Sequence, residues 1–318
     1  MLTSLFLSFS IVFPLFVLLA LGFLLRQTKI FDENTVNKLN SSVFKIFLPT
    51  SVCINVYHSK INDIFDAKLI SYAAGSVILS FIILFIIIPL IVKEPCRRGV
   101  LIQGIFRSNF LILGLPLAQN LYADGSIDGA ASILIAIIVP IFNVLAVVAL
   151  EVFRSGSPSY KKILKGIVTN PLIIGSSLGF LLLLSSIKLP SLLDNTISEI
   201  AQIATPLALI ALGASLNFKS IRGNITPIIW GILGKLVIVP AVFLTIAILL
   251  GFRNRELAIL LSLFASPTAV SSYTMAHQMG CDYELAGQLV VFGTSLAILT
   301  LFLWIFLLTY LGYIVPII

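Results

Sequence analysis

Ten long apolar runs, separated by short stretches rich in charged, glycine and proline residues, dominate the pattern along this chain. A helix needs roughly 20 mostly apolar residues to cross the hydrocarbon core of a bilayer, and each run is of that order. The pattern therefore predicts an all-α, polytopic membrane protein with ten transmembrane helices. The predicted helices cover residues 4–25, 36–57, 66–92, 98–121 and 127–152, then 161–185, 195–217, 225–250, 255–279 and 284–311.

The two halves of the chain are related by an internal repeat. The sequence LGFLL occupies residues 21–25 and again 178–182, an offset of 157 (178 − 21) in a chain of 318 residues. The same offset pairs Pro49 with Pro206, and proline is costly inside a helix. Because each half has five spans, an odd number, the second half must enter the membrane from the opposite side. The sequence thus predicts two inverted five-helix repeats, an arrangement typical of secondary transporters.

Composition agrees with membrane residence and narrows the expected partners. The chain is 59% hydrophobic and only 10% charged, with a mean hydropathy of +1.12, whereas a soluble domain carries about 25% charged residues. The formal charge of +7 comes from basic residues in short loops, so we expect a lipid bilayer and no nucleic acid as partner. Cys53, Cys96 and Cys281 lack metal-ligand spacing, and the chain has no HExxH or P-loop motif. We therefore expect no metal, no cofactor and no enzymatic activity.

Lysine and arginine are distributed unevenly between the two sets of predicted loops. With the N-terminus outside, the inner loops contain 11 basic residues and the outer loops contain 5. Since cytoplasmic loops are enriched in Lys and Arg, both termini are predicted to be extracytoplasmic, in the plasma (inner) membrane, and the linker at 154–162 to be cytoplasmic. The inner set is Arg26, Lys29, Lys93, Arg97, Arg98, Arg154, Lys161, Lys162, Lys165, Lys219 and Arg222, and the outer set is Lys60, Lys68, Lys188, Arg253 and Arg255.

Two spans at equivalent places in the repeat, the fourth and the ninth, contain helix-breaking residues near the bilayer midplane. The offset of 157 puts Asn109 of the fourth span opposite Ser266 of the ninth, beside Pro267. Broken helices expose backbone amides whose partial positive charge suits an anion. The alternative is a pair of proline kinks in which Ser and Thr hydroxyls bond to the nearby backbone. The predicted substrate site comprises Ser108, Asn109, Gly114, Pro116, Ser266, Pro267, Thr268 and Ser271.

Three further side chains are candidates for charge neutralisation or ion coupling. Arg107 lies two residues before Asn109, and it either guides an anion into the site or extends to the inner surface. Lys235, in the eighth span, is open to a functional or a packing interpretation. His277 is close to the ninth-span break and titrates near neutral pH, although a lone His is more often structural. No Asp or Glu lies deep within a span, so coupling would use a proton on His277, a sodium ion, or neither.

Four motifs distributed along the chain support a family assignment. They are Asn109 followed by 114–116 (GLP), 170–172 (NPL), 206–216 (PLALIALGASL) and 266–270 (SPTAV). In order and spacing they resemble the auxin efflux carrier family, within the wider superfamily of bile-acid, arsenite and riboflavin transporters. The resemblance covers essentially the whole chain and implies that helices four and nine cross at the substrate site.

The same resemblance implies two domains with different roles in transport. Helices 1, 2, 6 and 7, at 1–60 and 158–218, would form a scaffold domain, which is often dimeric in the family. Helices 3–5 and 8–10, at 61–157 and 219–318, would form a transport domain that moves against the scaffold like an elevator. A homodimer is therefore expected.

Two departures from the family pattern bear on the substrate. Plant auxin carriers have Pro before the crossing Asn, where this chain has Ser108, and commonly carry a long loop between the halves that this sequence lacks. The chain is more similar to the shorter bacterial members, whose proposed substrates are carboxylates such as malate or malonate. We therefore expect a secondary transporter for a small organic anion, a mono- or dicarboxylate. The alternatives are a sodium-coupled symporter of the bile-acid type and a non-transporting membrane sensor or channel.

Overall fold

The computed structural model of this protein describes residues 2–59, 66–122, 124–125, 127–154, 160–185, 187–217 and 220–317. These residues form α-helices, three π-helical turns and short connections, and their β pairing is limited to two isolated bridges. The helices of the described chain are α1 Leu2–Gln27, α2 Glu33–Ser42, α3 Leu48–Tyr57, α4 Ala67–Ile91, α5 Pro95–Phe106, α6 Leu115–Leu121, α7 Asp128–Arg154, α8 Tyr160–Thr169, α9 Pro171–Ser185, α10 Ser191–Ser215, α11 Ile221–Leu233, α12 Val239–Leu249, α13 Asn254–Ala265, α14 Ser271–Gln278 and α15 Tyr283–Tyr310.

Six helical stretches of the described chain are long and apolar enough to cross a membrane, and a bent pair adds a seventh if it counts as one span. The bent pair is α8 and α9, which meet at 55° around Asn170. The Asn170 side chain caps α9 by accepting a hydrogen bond from the Leu172 amide at 3.0 Å. An all-helical, multi-pass fold is thereby confirmed, whereas ten complete spans remain a prediction. The six stretches are Glu33–Tyr57, Ala67–Ile91, Gly129–Arg154, Ser191–Ser215, Ile221–Leu249 and Tyr283–Tyr310.

Each π-helical turn precedes a proline by two residues. Proline lacks an amide hydrogen and its ring crowds the preceding turn, so a wider turn accommodates the ring without ending the helix. One such turn joins α11 to α12 and contains Lys235, and another follows Asn109 and leads into α6. The turns are Val43–Phe47, Phe110–Gly114 and Gly234–Ile238, followed by Pro49, Pro116 and Pro240.

Close contacts at glycine join α1 to α10 and α9 to α3. A Cβ atom built on Gly22 would lie 2.0 Å from the Ile210 carbonyl oxygen, and one built on Gly179 would lie 2.4 Å from the Cys53 carbonyl oxygen. Small residues allow such close backbone approach between membrane helices. Gly22 and Gly179 are separated by the repeat offset of 157, and so are Cys53 and Ile210. The two contacts are therefore equivalent under the internal repeat, and α3 also packs against α10 to complete a four-helix group.

Candidate binding cavity at a helix crossing

Two interrupted helices meet in the buried interior. α5 ends at Phe106, before the π-helical turn that leads into α6, and α13 ends at Ala265, before α14. Between them the Asn109 amide donates to the Pro267 carbonyl at 2.8 Å, and Ser108 pairs with Thr268 as an isolated antiparallel bridge. The structure thus brings into contact the two segments in which the sequence predicts helix breaks.

Side-chain hydroxyls satisfy backbone carbonyls near the two breaks. Thr268 Oγ1 donates to the Gly104 carbonyl at 2.6 Å, which ties the ninth-span break to α5. Ser266 Oγ donates to the Ser262 carbonyl at 2.6 Å, which is the local back-bonding considered as the alternative from sequence. Non-helical backbone at membrane depth is tolerated only where protein or water supplies such partners. These two hydroxyls therefore stabilise the crossing itself.

A cavity of about 490 Å³ opens on one side of the crossing, between it and the helices α3, α7 and α10. Of the predicted site residues, Ser108, Asn109 and Ser271 line this cavity, and Arg107 joins them. Polar side chains from the other helices complete the wall, and of the described residues no Asp or Glu lines it. These polar residues are Ser51, Asn55, His58, Asn143, Ser198, Gln202 and Thr205.

The other predicted site residues lie behind the cavity wall, where they allow the two broken helices to pack. A Cβ atom on Gly114 would lie 2.6 Å from the Ser262 carbonyl oxygen, so glycine lets the turn after Asn109 approach α13. Pro116 lies in the first turn of α6. The residues outside the lining are Gly114, Pro116, Ser266, Pro267 and Thr268.

Arg107 brings a buried positive charge to the cavity. Its side chain is 4% exposed, donates to Asn143 Oδ1 at 2.6 Å and contacts the Met275 sulfur. Asn143 in turn donates from Nδ2 to Ser176 Oγ of α9 at 3.1 Å, which fixes its orientation. Arg107 forms no salt bridge with any carboxylate of the described residues. A buried cation without a counter-charge is costly, so an anion in the cavity would stabilise it.

Asn109 contributes an unused hydrogen-bond donor to the same wall. Its side-chain nitrogen Nδ2 is buried and has no hydrogen-bond partner among the described residues. Buried polar groups are normally paired, and each unpaired one calls for an explanation. Asn109 lines the cavity and its backbone is already fixed by the bond to Pro267, so this donor is available to a group in the cavity.

Lys235 and His277 are outside the cavity. Lys235 is 2% exposed within the widened turn between α11 and α12. His277 lies at the end of α14, with its ring 4.8 Å from that of Tyr283. Neither residue belongs to the cavity lining. The structure therefore separates Arg107 from the other two candidates for charge neutralisation.

On the other side of the crossing lies a hydrogen-bonded cluster around Tyr273 of α14. Asn40 Nδ2 donates to the Tyr273 hydroxyl at 2.9 Å, and that hydroxyl donates to Ser215 Oγ at 2.5 Å. Asn40 lies on α2 and Ser215 ends α10. Along the chain, Asn40 is 8 residues from the cavity-lining Leu48 (48 − 40), and Ser215 is 10 residues from the cavity-lining Thr205 (215 − 205). At ~1.5 Å per helical residue these separations are on the order of 12–15 Å. The cluster therefore lies toward the end of these helices opposite the cavity.

The sequence did not lead us to predict the residues that α3, α7 and α10 contribute to the cavity wall. Asn143 is an isolated polar residue in the apolar stretch 127–152, and that isolation is a signal that could have found it. Gln202 and Thr205 immediately precede the 206–216 motif and could have been found by extending it. Tyr273 has no such signal, since the stretch 271–278 (SSYTMAHQ) is mostly polar and does not set Tyr273 apart.

A polytopic helical fold with a polar cavity beside two interrupted, crossing helices is that of a membrane transporter. The chain belongs to the membrane transport protein family, whose model matches residues 7–161 and 154–305. This match confirms the resemblance to auxin efflux carriers that the motifs indicate, and it indicates transport rather than catalysis.

Two archaeal proteins are similar over nearly the whole chain. An uncharacterized transporter of Methanocaldococcus jannaschii is 21% identical over 308 residues, which cover 93% of this chain and 97% of that protein. An uncharacterized transporter of Methanothermobacter thermautotrophicus is 23% identical over 305 residues, with the same two coverages. The similarity therefore extends over both halves of the chain.

Proposed function

We propose that this protein is a secondary transporter that moves a small organic anion, a mono- or dicarboxylate, across the plasma (inner) membrane. One observation carries the proposal. A buried guanidinium without a carboxylate partner and an amide donor without a hydrogen-bond partner, both judged among the described residues, line the same cavity. These groups are Arg107 and Asn109. A carboxylate supplies both the missing negative charge and the missing acceptor.

The helix ends favour the same ligand chemistry. The helical stretch Phe110–Leu121 and the helix α14 both begin at the cavity wall, at Phe110 and Ser271. The N-terminus of a helix carries partial positive charge, worth about 0.3–1 kcal/mol to an anion near it. Within the described part of the chain, no carboxylate that would repel the ligand lines the wall. The Ser108 hydroxyl and the amides of Asn55 and Gln202 offer neutral hydrogen bonds to the rest of the substrate.

The proposed architecture is ten helices in two inverted five-helix repeats. The equivalent glycine contacts at Gly22 and Gly179 support it, since each helix pair is reproduced at the offset of 157. The antiparallel pairing of Ser108 with Thr268 also supports it, because inverted copies of one broken helix run in opposite directions. In this scheme residues 1–60 and 158–218 are the scaffold, and 61–157 and 219–318 are the transport domain.

Alternating access would follow from movement of the crossing relative to α3 and α10. The cavity lies between these two helices and the crossing, while the cluster around Tyr273 lies toward the opposite end. With the orientation predicted from the basic loops, the cavity opens to the extracytoplasmic side. Transport then requires that the Tyr273 hydroxyl leave Asn40 and Ser215 and that the cavity close. We expect a homodimer through the scaffold helices around 36–57 and 195–217.

A ligand screen tests the proposal directly. Purified protein is subjected to thermal shift with a panel of mono- and dicarboxylates, each with and without sodium, and hits are assayed for uptake into proteoliposomes. We expect saturable uptake of at least one carboxylate, and a sodium requirement or a response to a proton gradient identifies the coupling ion. Flux that does not saturate indicates the channel alternative, and binding without flux indicates a sensor.

The Asn109→Ala variant tests the location of the site. A hydrogen bond to a charged group is worth roughly 1.5–3 kcal/mol, so binding should weaken by about one to two orders of magnitude. Asn120→Ala is the matched control, because Asn120 is exposed on α6 and bonds only to the local Pro116 carbonyl. A folded Asn109→Ala protein with unchanged affinity would show that the crossing is not the substrate site.

A further inference from the structure

A second cavity, of about 530 Å³, opens on the surface of the helices α4, α5 and α11–α12, away from the crossing. We call it the α4–α11 groove. Its walls are the α4 residues Ile83, Ile87 and Ile91 and the α11 residue Trp230, all of which are exposed. Its floor includes Leu101 of the buried helix α5.

A hydrogen bond joins α4 to α12 near the start of α4. The Tyr72 hydroxyl, near the start of α4, donates to the Phe243 carbonyl of α12. Towards the C-terminal end of α4, as far as Ile91, the cavity lies between the two walls of the groove. Both walls belong to helical stretches that are long and apolar enough to cross a membrane. At that depth in the membrane, the acyl chains of lipids are available to occupy an apolar groove.

One end of the groove is basic. Lys93 and Arg97 line it there, together with Glu94. Arg97 is bonded to Asp282 at 3.1 Å and lies 3.7 Å from Glu94, so its charge is already neutralised. Lys93 has no salt bridge to any carboxylate of the described residues. The short segment 93–98 carries three basic residues and one acidic residue, a net charge of +2 (3 − 1).

We propose that the α4–α11 groove is a binding site for an anionic diacyl phospholipid of the inner leaflet. An acyl chain would lie between α4 and α11–α12, and the phosphate would lie beside Lys93. Basic pockets between transmembrane helices on the cytoplasmic side bind anionic headgroups. Without the three basic residues of this segment, the inner loops still hold 8 (11 − 3) against 5 in the outer loops, so the basic-loop count assigns the segment 93–98 to that side. The site is separate from the crossing and does not depend on which substrate is transported.

Native mass spectrometry of the delipidated full-length protein tests the proposal. The protein is titrated with phosphatidylglycerol, and phosphatidylcholine with the same acyl chains serves as the comparison. We expect one phosphatidylglycerol to bind more tightly than phosphatidylcholine. Lys93→Gln should weaken phosphatidylglycerol binding by about fivefold, the effect of one basic residue near an anionic headgroup. Lys161→Gln, an exposed basic residue outside the groove, should leave it unchanged.

A pair of neighbouring substitutions tests the groove itself. Ile87→Trp fills the space between the walls and should reduce phospholipid binding at least tenfold. Ile86→Trp places the same side chain on the adjacent position of α4, which is 61% exposed and outside the lining, and should have no effect. Both positions are exposed, so neither variant disturbs the packed core. Equal binding of the two lipids, or equal effects of the two tryptophans, would overturn the proposal in favour of non-specific annular lipid.

Discussion

The cluster around Tyr273 makes a quantitative prediction about the balance between two conformations. In Tyr273→Phe the ring remains but the hydroxyl that bonds Asn40 and Ser215 is lost. Each neutral hydrogen bond contributes about 0.5–1.5 kcal/mol net, so the pair contributes about 1–3 kcal/mol. If α14 moves away from α2 and α10 during transport, that free energy favours only the conformation described here. The ratio of this conformation to the alternative should fall by about 5- to 150-fold in the variant.

Pulsed electron paramagnetic resonance can measure that ratio. Spin labels on Glu199→Cys of α10 and Asn120→Cys of α6, both exposed positions, report the distance between the scaffold and the crossing helix. The native cysteines are replaced first, and the two populations are taken from the distance distribution. The variant should enrich the distance that is minor in the unaltered protein.

Tyr57→Phe is the matched control for the lost hydroxyl. The Tyr57 hydroxyl also makes two hydrogen bonds, to the Ile187 carbonyl at 3.2 Å and from the Leu189 amide at 2.9 Å. All three residues belong to the proposed scaffold, so their bonds persist in both conformations. Tyr57→Phe should lower thermal stability without changing the ratio of populations. A ratio that stays within twofold of the unaltered protein in a folded Tyr273→Phe variant would refute the reasoning.

Three further predictions concern packing, charge and topology. Gly22→Ala should lower the melting temperature, because its Cβ would lie 2.0 Å from a carbonyl oxygen of α10. Gly75→Ala, whose Cβ would have nothing within 4 Å, should be neutral or stabilising by about 0.5–1 kcal/mol. Equal melting temperatures of the two variants would contradict the close contact. Arg107→Gln should abolish binding of the identified carboxylate, while Arg26→Gln, in the last turn of α1, should leave it intact. Retained affinity in a folded Arg107→Gln protein would show that the guanidinium does not belong to the site. Ser157→Cys lies in the linker, outside the described residues, and should react with a membrane-impermeant maleimide only after the membrane is permeabilised. Labelling of this cysteine in intact cells would show that the predicted orientation is wrong.

The sequence by itself determined the class of fold and the positions of the interruptions. Apolar runs of about 20 residues must be spanning or buried helices, because a backbone in hydrocarbon has to satisfy its own hydrogen bonds. Proline and small polar residues at equivalent places in a repeat mark breaks for the same local reason. The segments around Asn109 and Pro267 could therefore be found without coordinates. Family membership followed from motif order and spacing.

Only the tertiary structure decided which residues at the crossing face a ligand. Ser108, Asn109 and Ser271 line the cavity, whereas Thr268 and Ser266 bond to backbone carbonyls behind it, although their local sequence contexts are alike. The direction of a side chain at a helix break depends on the helix that packs against it, here a segment about 160 residues away. The pairing of Arg107 with Asn143, and of Tyr273 with Asn40, has the same origin. Such contacts are set by the packing of distant helices, and no local pattern encodes them.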